Sequence, residues 1–400
     1  MNNITIDING YTYTSFLSYD FYEDIEALLK TFSITLNVPE DRNLIKQGDI
    51  INVKIDNEDF LKGYIEKIEE KDEGEASIMR IQGRDILCDL VDSRIGAKIY
   101  QTPINFVELV KQVLMALNYT LSTGLNPYNK DNAISIINNY GNIDILESGD
   151  DIKHRDNDSA FELIKRCADK RRLILTSDGR SNLVINKLAS KVCDTILVRF
   201  KDDELNNILN SEVDIDYSQR YYKYIVKSIV NGSGIDQNAA IDPKEEMIVT
   251  KGKENRASSL INGTGIVYDN EIRKNRILTI FKQVSSIKQA NDLAQWEADI
   301  RKTQSFQYGC RVFGFRQNLE ENLSINPLWK TNMLVDVQDE VRNVFGRFLI
   351  KSVRYSKNDK GTNSYLTLVN EKSYTNSLFE PIVKNIRGKR GDNAKVIIEP

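Results

Sequence analysis

Histidine is the side chain most often used to move protons near neutral pH, and this chain has one, His154. A single imidazole excludes every site that needs two and leaves one candidate base for a serine or cysteine triad. Its surroundings, Asp150-Asp151-Ile152-Lys153-His154-Arg155-Asp156, read as a charged connector, so a solvated loop histidine without a catalytic part is expected. Cys88, Cys167, Cys193 and Cys310 are scattered without metal-ligand spacing, as free thiols of a reducing cytoplasm would be. Carboxylates crowd one turn: Glu66, Glu69, Glu70, Asp72, Glu73 and Glu75. A glycosidase needs two carboxyls held across a sugar, one with a raised pKa. Lysines interleave these acids and nothing apolar desolvates them, so they read as solvated surface.

Two further patterns bear on ligands. Gly232-Ser-Gly234 and Gly263-Thr-Gly265 lack the additional glycine and the lysine of a phosphate-cradling loop. Arg220-Tyr221-Tyr222-Lys223-Tyr224 mixes basic and aromatic residues as single-strand binders do. The same alternation describes a strand with buried and exposed tyrosines, which is the reading adopted. Near the end, Lys384, Arg387, Lys389 and Arg390 form a basic cluster in an extended tail, an interaction segment for phosphate or for a protein partner. No catalytic residue, cofactor site or metal site is expected, and the chain reads as a non-enzyme.

The elements that carry these residues must come from several domains, since 400 residues exceed one ordinary core. With 54 basic and 58 acidic residues the net charge is −4, which disfavours a general polyanion binder. The opening MNNITIDING lacks the charged and apolar regions of a secretory signal, and no apolar run is long enough to cross a bilayer, so no membrane insertion is expected.

One stretch occurs twice. From Asp49 to Arg84 the pattern is strand, turn, strand, turn, strand, with Ile51, Val53 and Ile55 alternating against Asn52 and Lys54. Met333, Val335 and Val337 repeat that strand at an offset of 282 residues, and Phe345, Ile350 and Val353 repeat Phe60, Ile65 and Ile68 at 285. Asp359-Lys360-Gly361 stands for Asp72-Glu73-Gly74, with Tyr365, Leu366 and Leu368 for Ile78, Met79 and Ile81. Ahead of the first copy, Asp24 to Leu36 reads as strand from Phe32, matched at an offset of 192 by Asp216 to Ser228.

The fold class expected is β-rich α+β: two tube-like β-barrel modules plus two α+β inserted domains. Residues 1–95 form the first barrel. Residues 96–195 form an α+β domain, with a helix opened by Thr102-Pro103, a second capped by Ser159 and Glu162 that buries Phe161 and Ile164, and a hairpin turning at Ser177-Asp178-Gly179. Residues 196–232 and 326–376 form the second, discontinuous barrel. Residues 233–325 are the inserted α+β domain, with a polar loop from Pro243 to Asn255, a helix capped by Ser286 and Gln289 whose small face is Ala290, Leu293, Ala294 and Ala298, and a closing strand from Gly309 to Phe315. Residues 377–400 are the extended tail.

A split duplication of this kind resembles the baseplate hub proteins of contractile phage tails, the phage Mu-type or late control gene D family, whose plan the hub portion of type VI secretion spike proteins shares. The likeness is carried by Gly48-Asp-Ile-Ile51, Phe60-Leu-Lys-Gly-Tyr-Ile65, Asp158-Ser-Ala-Phe-Glu-Leu-Ile164, Asp216-Tyr-Ser-Gln-Arg-Tyr-Tyr222, the Ala290 to Arg301 helix and Gly346-Arg-Phe-Leu-Ile350. The resemblance implies a homotrimer whose six modules meet a sixfold tail tube on one side and a trimeric spike on the other. It implies as partners the tail tube protein, the spike protein, other baseplate subunits and, as a further candidate, the tape measure protein, with DNA only as cargo in the lumen. It implies a place in the tail baseplate of a virion or tail-like particle, assembled in the host cytoplasm. The tail after Tyr374 has no family counterpart. Two other functions remain in view: a tail-associated peptidoglycan hydrolase, and a cell-wall-binding module in residues 96–195.

Overall fold

The computed structural model describes residues 3–39, 44–73, 76–96, 98–117, 119–121, 133–139, 145–146, 152–154, 157–171, 173–188, 191–201, 206–228, 264–282, 287–317, 326–359 and 361–370. The chain starts with β1 (Ile4–Ile8) and β2 (Tyr11–Tyr13), joined through Asn9 and Gly10 at φ 51° and 83°, a mirror-image turn that matches the twist of paired strands. The strands β3 (Ser18–Asp24), β4 (Thr31–Asn37), β5 (Ile50–Ile55), β6 (Glu58–Glu73) and β7 (Ala76–Asp85) complete the first module. Their order is β3-β4-β7-β6-β5-β1-β2.

A helix α1 (Cys88–Asp92) leads into the α+β segment: β8 (Lys98–Ile99), β9 (Ile104–Asn105), α2 (Phe106–Ala116), β10 (Thr120–Leu121), β11 (Ala133–Asn138), β12 (Ile145–Leu146), β13 (Lys153–His154), α3 (Ala160–Lys170), β14 (Ile174–Ser177) and β15 (Asn182–Asn186). The start of α2 differs from the sequence expectation. Ile104 and Asn105 pair with β12 and stay extended, so Asn105 is the N-cap, its side chain accepting from the Val107 N–H at 2.8 Å. The Ser159–Glu162 capping box of α3 is present with both reciprocal bonds. The α3 face buries Ala160, Leu163, Ile164, Cys167 and Ala168, with Phe161 only half-buried. The core under these helices also takes in Leu28, Leu87 and Leu90 from the first module.

Next come β16 (Leu197–Arg199) and β17 (Ile208–Ile215), then β18 (Lys223–Ser228), β19 (Thr264–Tyr268), β20 (Ile277–Lys282) and α4 (Ile287–Gln304). The chain closes with β21 (Phe306–Phe313), β22 (Leu334–Asp339), β23 (Val344–Asn358) and β24 (Gly361–Asn370). Two compact units result: a larger one with the described residues to Val213 and from Gln307 onward, and a smaller one from Asp214 to Phe306. In the smaller unit β18 lies between antiparallel β19 and parallel β20. Ala290, Ala294 and Ala298 of α4 pack on Tyr224 and Val226. Gly265 lets that helix approach, since a Cβ there would lie 2.2 Å from the Ala290 carbonyl carbon. The division differs from the 233–325 insert expected from sequence: the aromatic strand belongs to the smaller unit's sheet, and β21 belongs to the large sheet.

The second module repeats the first. Its order β17-β21-β24-β23-β22 is that of β3-β4-β7-β6-β5. Ile65 pairs with Gly83 and Lys67 with Gln82, leaving Glu66 as a bulge; Ile350 pairs with Leu368 and Ser352 with Thr367, leaving Lys351. Both bulges and both partner strands stand at one offset of 285. The first strand of each hairpin stands at 284, because Ile51 faces Gly63 and Val335 faces Phe348. Backbone bonds from Ile65 to Asp49 and from Gly48 to Ile65 recur as Ile350 to Met333 and Asn332 to Ile350. β4 corresponds to β21 at 276, Phe32 facing Gly83 as Tyr308 faces Leu368. The β-rich α+β class holds, and the tube-like barrels expected from sequence find no closed sheet among the described residues. Both modules lie in one open 13-stranded sheet, joined where Ser352 to Lys357 of β23 pair with Tyr19 to Asp24 of β3.

Candidate functional site

The residues singled out for chemistry have structural tasks. His154 is buried, 3% exposed, against the expectation of a solvated loop. It is buried on β13 as Ile152 is just before that strand, and its Nε2–H donates to the Asp158 carbonyl at 3.2 Å. All four cysteines are free and buried, and burial pushes the Cys88 and Cys193 thiols up to about 12, so neither supplies a thiolate at neutral pH. Among the hairpin acids, Glu66 takes a forked pair of bonds from Arg84 at 2.6 and 2.8 Å, Asp72 accepts from Ser77 Oγ at 2.6 Å, and Glu69 pairs with Lys67. Glu75 lies outside the described residues.

Arg220 is 2% exposed and bonded to Asp269 at 2.7 Å and Glu271 at 2.5 Å, while Tyr224 is fully buried and its hydroxyl accepts from the Tyr221 N–H. The cation is consumed inside the smaller unit, and of this stretch only Lys223 and Tyr224 are strand, opening β18, while Arg220 to Tyr222 precede it. Gly232, Gly234, Gly263, Ser286, the Pro243–Asn255 loop and the basic cluster Lys384, Arg387, Lys389 and Arg390 lie outside the described residues. Among those described, no group of three His, Cys, Asp or Glu side chains is placed to hold a metal ion, and no helix is long and apolar enough to cross a membrane. A cleft beside Lys30, Phe60, Ser177 and Tyr355 has a volume of about 230 Å³, small beside ordinary ligand pockets of roughly 300–1,000 Å³.

What the large unit does assemble is a junction between its two modules. Along the β23–β3 seam Phe21 and Tyr355 are fully buried. Tyr19 stacks on Phe21 at 5.2 Å, Phe60 meets Tyr355 edge-on at 5.3 Å, and Phe315 meets Tyr355 at 5.1 Å, a cluster drawn from both copies. Arg316 of the second module, its side chain 5% exposed, reaches Asp56 at 2.9 Å and Glu58 at 3.0 Å of the first. The Thr331 N–H donates to Glu23 at 2.9 Å. Composition alone did not flag these buried charges, because each finds its partner far away in the chain.

Two enclosed carboxylates tie further strands. Asp85 is wholly buried and accepts from Ser177 Oγ at 2.6 Å and the Leu87 N–H at 2.9 Å; burial nevertheless pushes its carboxyl up to about 6. Asp339, equally buried, accepts from Ser211 Oγ at 2.5 Å and Tyr308 OH at 2.7 Å, linking β22, β17 and β21.

The other face of the sheet is polar and open. Across β23, β3, β4, β7 and β6 it carries a depression of about 570 Å³ lined by Asp20, Thr31, Ser33, Glu66, Arg80, Gln82, Arg84 and Arg354 among others. Its charges compensate locally. Arg354 reaches Asp20 at 2.7 Å, Arg84 reaches Glu66 and Asp92 at 2.6 Å each, and Arg80 donates to Ser33 Oγ at 3.0 Å.

Comparison with known proteins gives this architecture its setting. Residues 3–85, the first module, match the family described as Mu phage baseplate assembly protein GpP-like, N-terminal. The chain is 20% identical over 339 residues to the baseplate hub protein gp44 of Escherichia phage Mu, covering 84% of this chain and 79% of that protein. Among solved structures it is similar to the 43 kDa tail protein of prophage MuSo2 from Shewanella oneidensis, at a TM-score of 0.69 and 21% identity over 93% of this chain and 99% of that one. It is also similar to the tail protein from Neisseria meningitidis MC58, at 0.71 and 14% over 94% and 98%. The resemblance read from the residues is thereby borne out, and the fold is that of phage tail proteins.

Proposed function

We propose that this relative of the Mu-type hub is a structural component of a phage tail baseplate, acting as a trimeric symmetry adaptor between a sixfold tail tube and a trimeric spike. The observation that carries the reading is the duplicated hairpin, with the same bulge at one offset in both copies and the two copies joined edge to edge in one sheet. A chain with two equivalent modules gives three chains six equivalent positions, and cyclic closure then needs one repeating interface. The similarity to a protein named as a baseplate hub supports the same reading.

The polar face of the sheet is the surface proposed to line the channel. Its paired charges would leave passing DNA few free cations to hold it. Residues 377–400, with Lys384, Arg387, Lys389 and Arg390, are proposed to dock a spike or a neighbouring baseplate subunit, and the tape measure protein is a further candidate partner inside the tube. No catalytic step is assigned: Asp85, the described carboxyl pushed up to about 6, has no solvent exposure at which a sugar could meet it. The test is a map of the intact particle with this subunit labelled. Density at the tube–spike junction is expected, and a position elsewhere in the particle would reject the hub role.

A further inference from the structure

The sheet of the smaller unit is covered on one face. Side chains alternate along β18, and Tyr224 and Val226 pack on α4, where Val267 of β19 and Leu278 and Ile280 of β20 join them under Ala290, Ala294 and Ala298. The opposite face consists of three rungs across β19, β18 and β20. Tyr268, Lys223 and Ile277 stand side by side in the first, Ile266, Ile225 and Thr279 in the second, and Thr264, Lys227 and Phe281 in the third. Its large apolar side chains meet solvent: Ile266 is 40% exposed, Tyr268 52%, Ile277 54% and Phe281 55%. Scattered singly such side chains are ordinary, but gathered on one face with charges set among them they mark an interaction surface. We propose that this face docks an acidic amphipathic helix of a neighbouring subunit in the particle. The inference goes beyond the hub reading and rests only on the part of it that makes this chain one subunit of an assembly.

Charge selects the occupant first. The nine positions hold two lysines and no acid. Asp269 and Glu271, just after Tyr268, are bonded to Arg220 at 2.7 and 2.5 Å. Lys223 rests against the Tyr268 ring at 5.5 Å, and neither lysine is in an ion pair among the described residues. A partner that covers the isoleucines also takes two cations out of water, so it must bring acids to meet them.

Shape selects a helix. Three strands spaced about 4.8 Å apart make a face about 10 Å across, the width of one helix, and the single helix α4 covers the inner face. Lys223 and Lys227 stand about 13 Å apart along β18 at about 3.3 Å per residue. Two helical turns rise about 11 Å, so acids about seven residues apart on a helix lying along β18 reach both ammonium groups, while its apolar residues cover the middle rung. Single-stranded nucleic acid fits less well. Its bases stack on aromatic rings, but Tyr268 and Phe281 occupy opposite corners with Ile266, Ile225 and Thr279 between them, and Tyr268 already meets Tyr222 at 5.4 Å.

Photo-crosslinking in the assembled particle tests the assignment. A benzophenone amino acid placed at Thr279 of the full chain, in the middle rung, is expected to cross-link to a different subunit. Mass spectrometry of the product should locate a segment with apolar residues at helical spacing and two acids about seven residues apart. Lys223→Glu with Lys227→Glu should lower the yield about fivefold and keep the parent's thermal midpoint, whereas Lys223→Arg with Lys227→Arg should retain the yield. Replacing the two acids of the cross-linked segment with lysine should restore the product with the charge-reversed chain. A product with nucleic acid, with a second copy of this chain or within the same chain would overturn the proposal, as would no product or a yield indifferent to charge reversal. The particle map decides the hub role separately, since an acidic helix found on this face far from the tube–spike junction would uphold the docking site and reject the hub.

Discussion

Arg316 shows what the single residue contributes. Its guanidinium sits nearly out of solvent between Asp56 and Glu58, some 260 positions away in sequence. Arg316→Met should cost about 3 kcal/mol, at the low end for a broken buried pair because both acids keep some water, and urea unfolding would measure it. Asp85 makes a pH prediction. Its folded pKa lies above the unfolded value, so its contribution to stability is fully present below about pH 4 and is lost as pH rises through about 6. Asp85→Asn should remove that slope, worth roughly 2 kcal/mol in the parent between pH 4.5 and 7, when denaturation midpoints are compared at those two values. Neither residue could be ranked from sequence, since a charge announces burial only through a partner that folding supplies. His154 misled for the same reason: its neighbours in sequence are charged, but it is buried on a two-residue strand, as Ile152 is just before that strand.

Among the elements, the hairpin was legible and its register was not. Sequence placed the flanking strands at offsets of 282 and 287 where pairing gives 284 and 285. Each error is two residues, the side-chain period of a strand, so the apolar pattern fits either choice and only hydrogen bonding decides. The offset of 192, read for Asp24 to Leu36 against Asp216 to Ser228, holds only at its first residue, where β3 ends and β17 has just ended. After Asp216 the smaller unit enters where the first module has only Ile25 to Lys30, and the match resumes at β21 with an offset of 276. The two hairpins also pack differently at equivalent rungs. Gly83 admits Phe32 closely in one, while Phe348, the counterpart of Gly63, stacks on Tyr308 at 6.4 Å in the other. Gly83→Val should therefore cost about 3 kcal/mol, since even its Cβ would lie 1.9 Å from the Tyr64 carbonyl oxygen, and the same denaturation assay reads it. Ser159→Ala, which removes the cap of α3, should cost about 1 kcal/mol.

At the scale of the whole molecule, the insertion point makes a prediction of its own. Replacing residues 217–306 with a six-residue turn copied from Ile25–Lys30 should leave the large unit folded, with a thermal midpoint within about 5 °C of its transition in the full chain. The purified chain of 45.8 kDa should show about three times that mass by light scattering. The fusion of both modules into one sheet also has a mechanical side. Six antiparallel rungs from Ser352–Asp24 to Lys357–Tyr19 bridge the copies. A pull along the strand axis loads those rungs together in shear, whereas a pull across them would unzip one at a time. Tension travelling along β23 and β3 is therefore shared by the whole ladder, and a joint built this way withstands a sudden axial jolt that would peel apart the same rungs loaded singly.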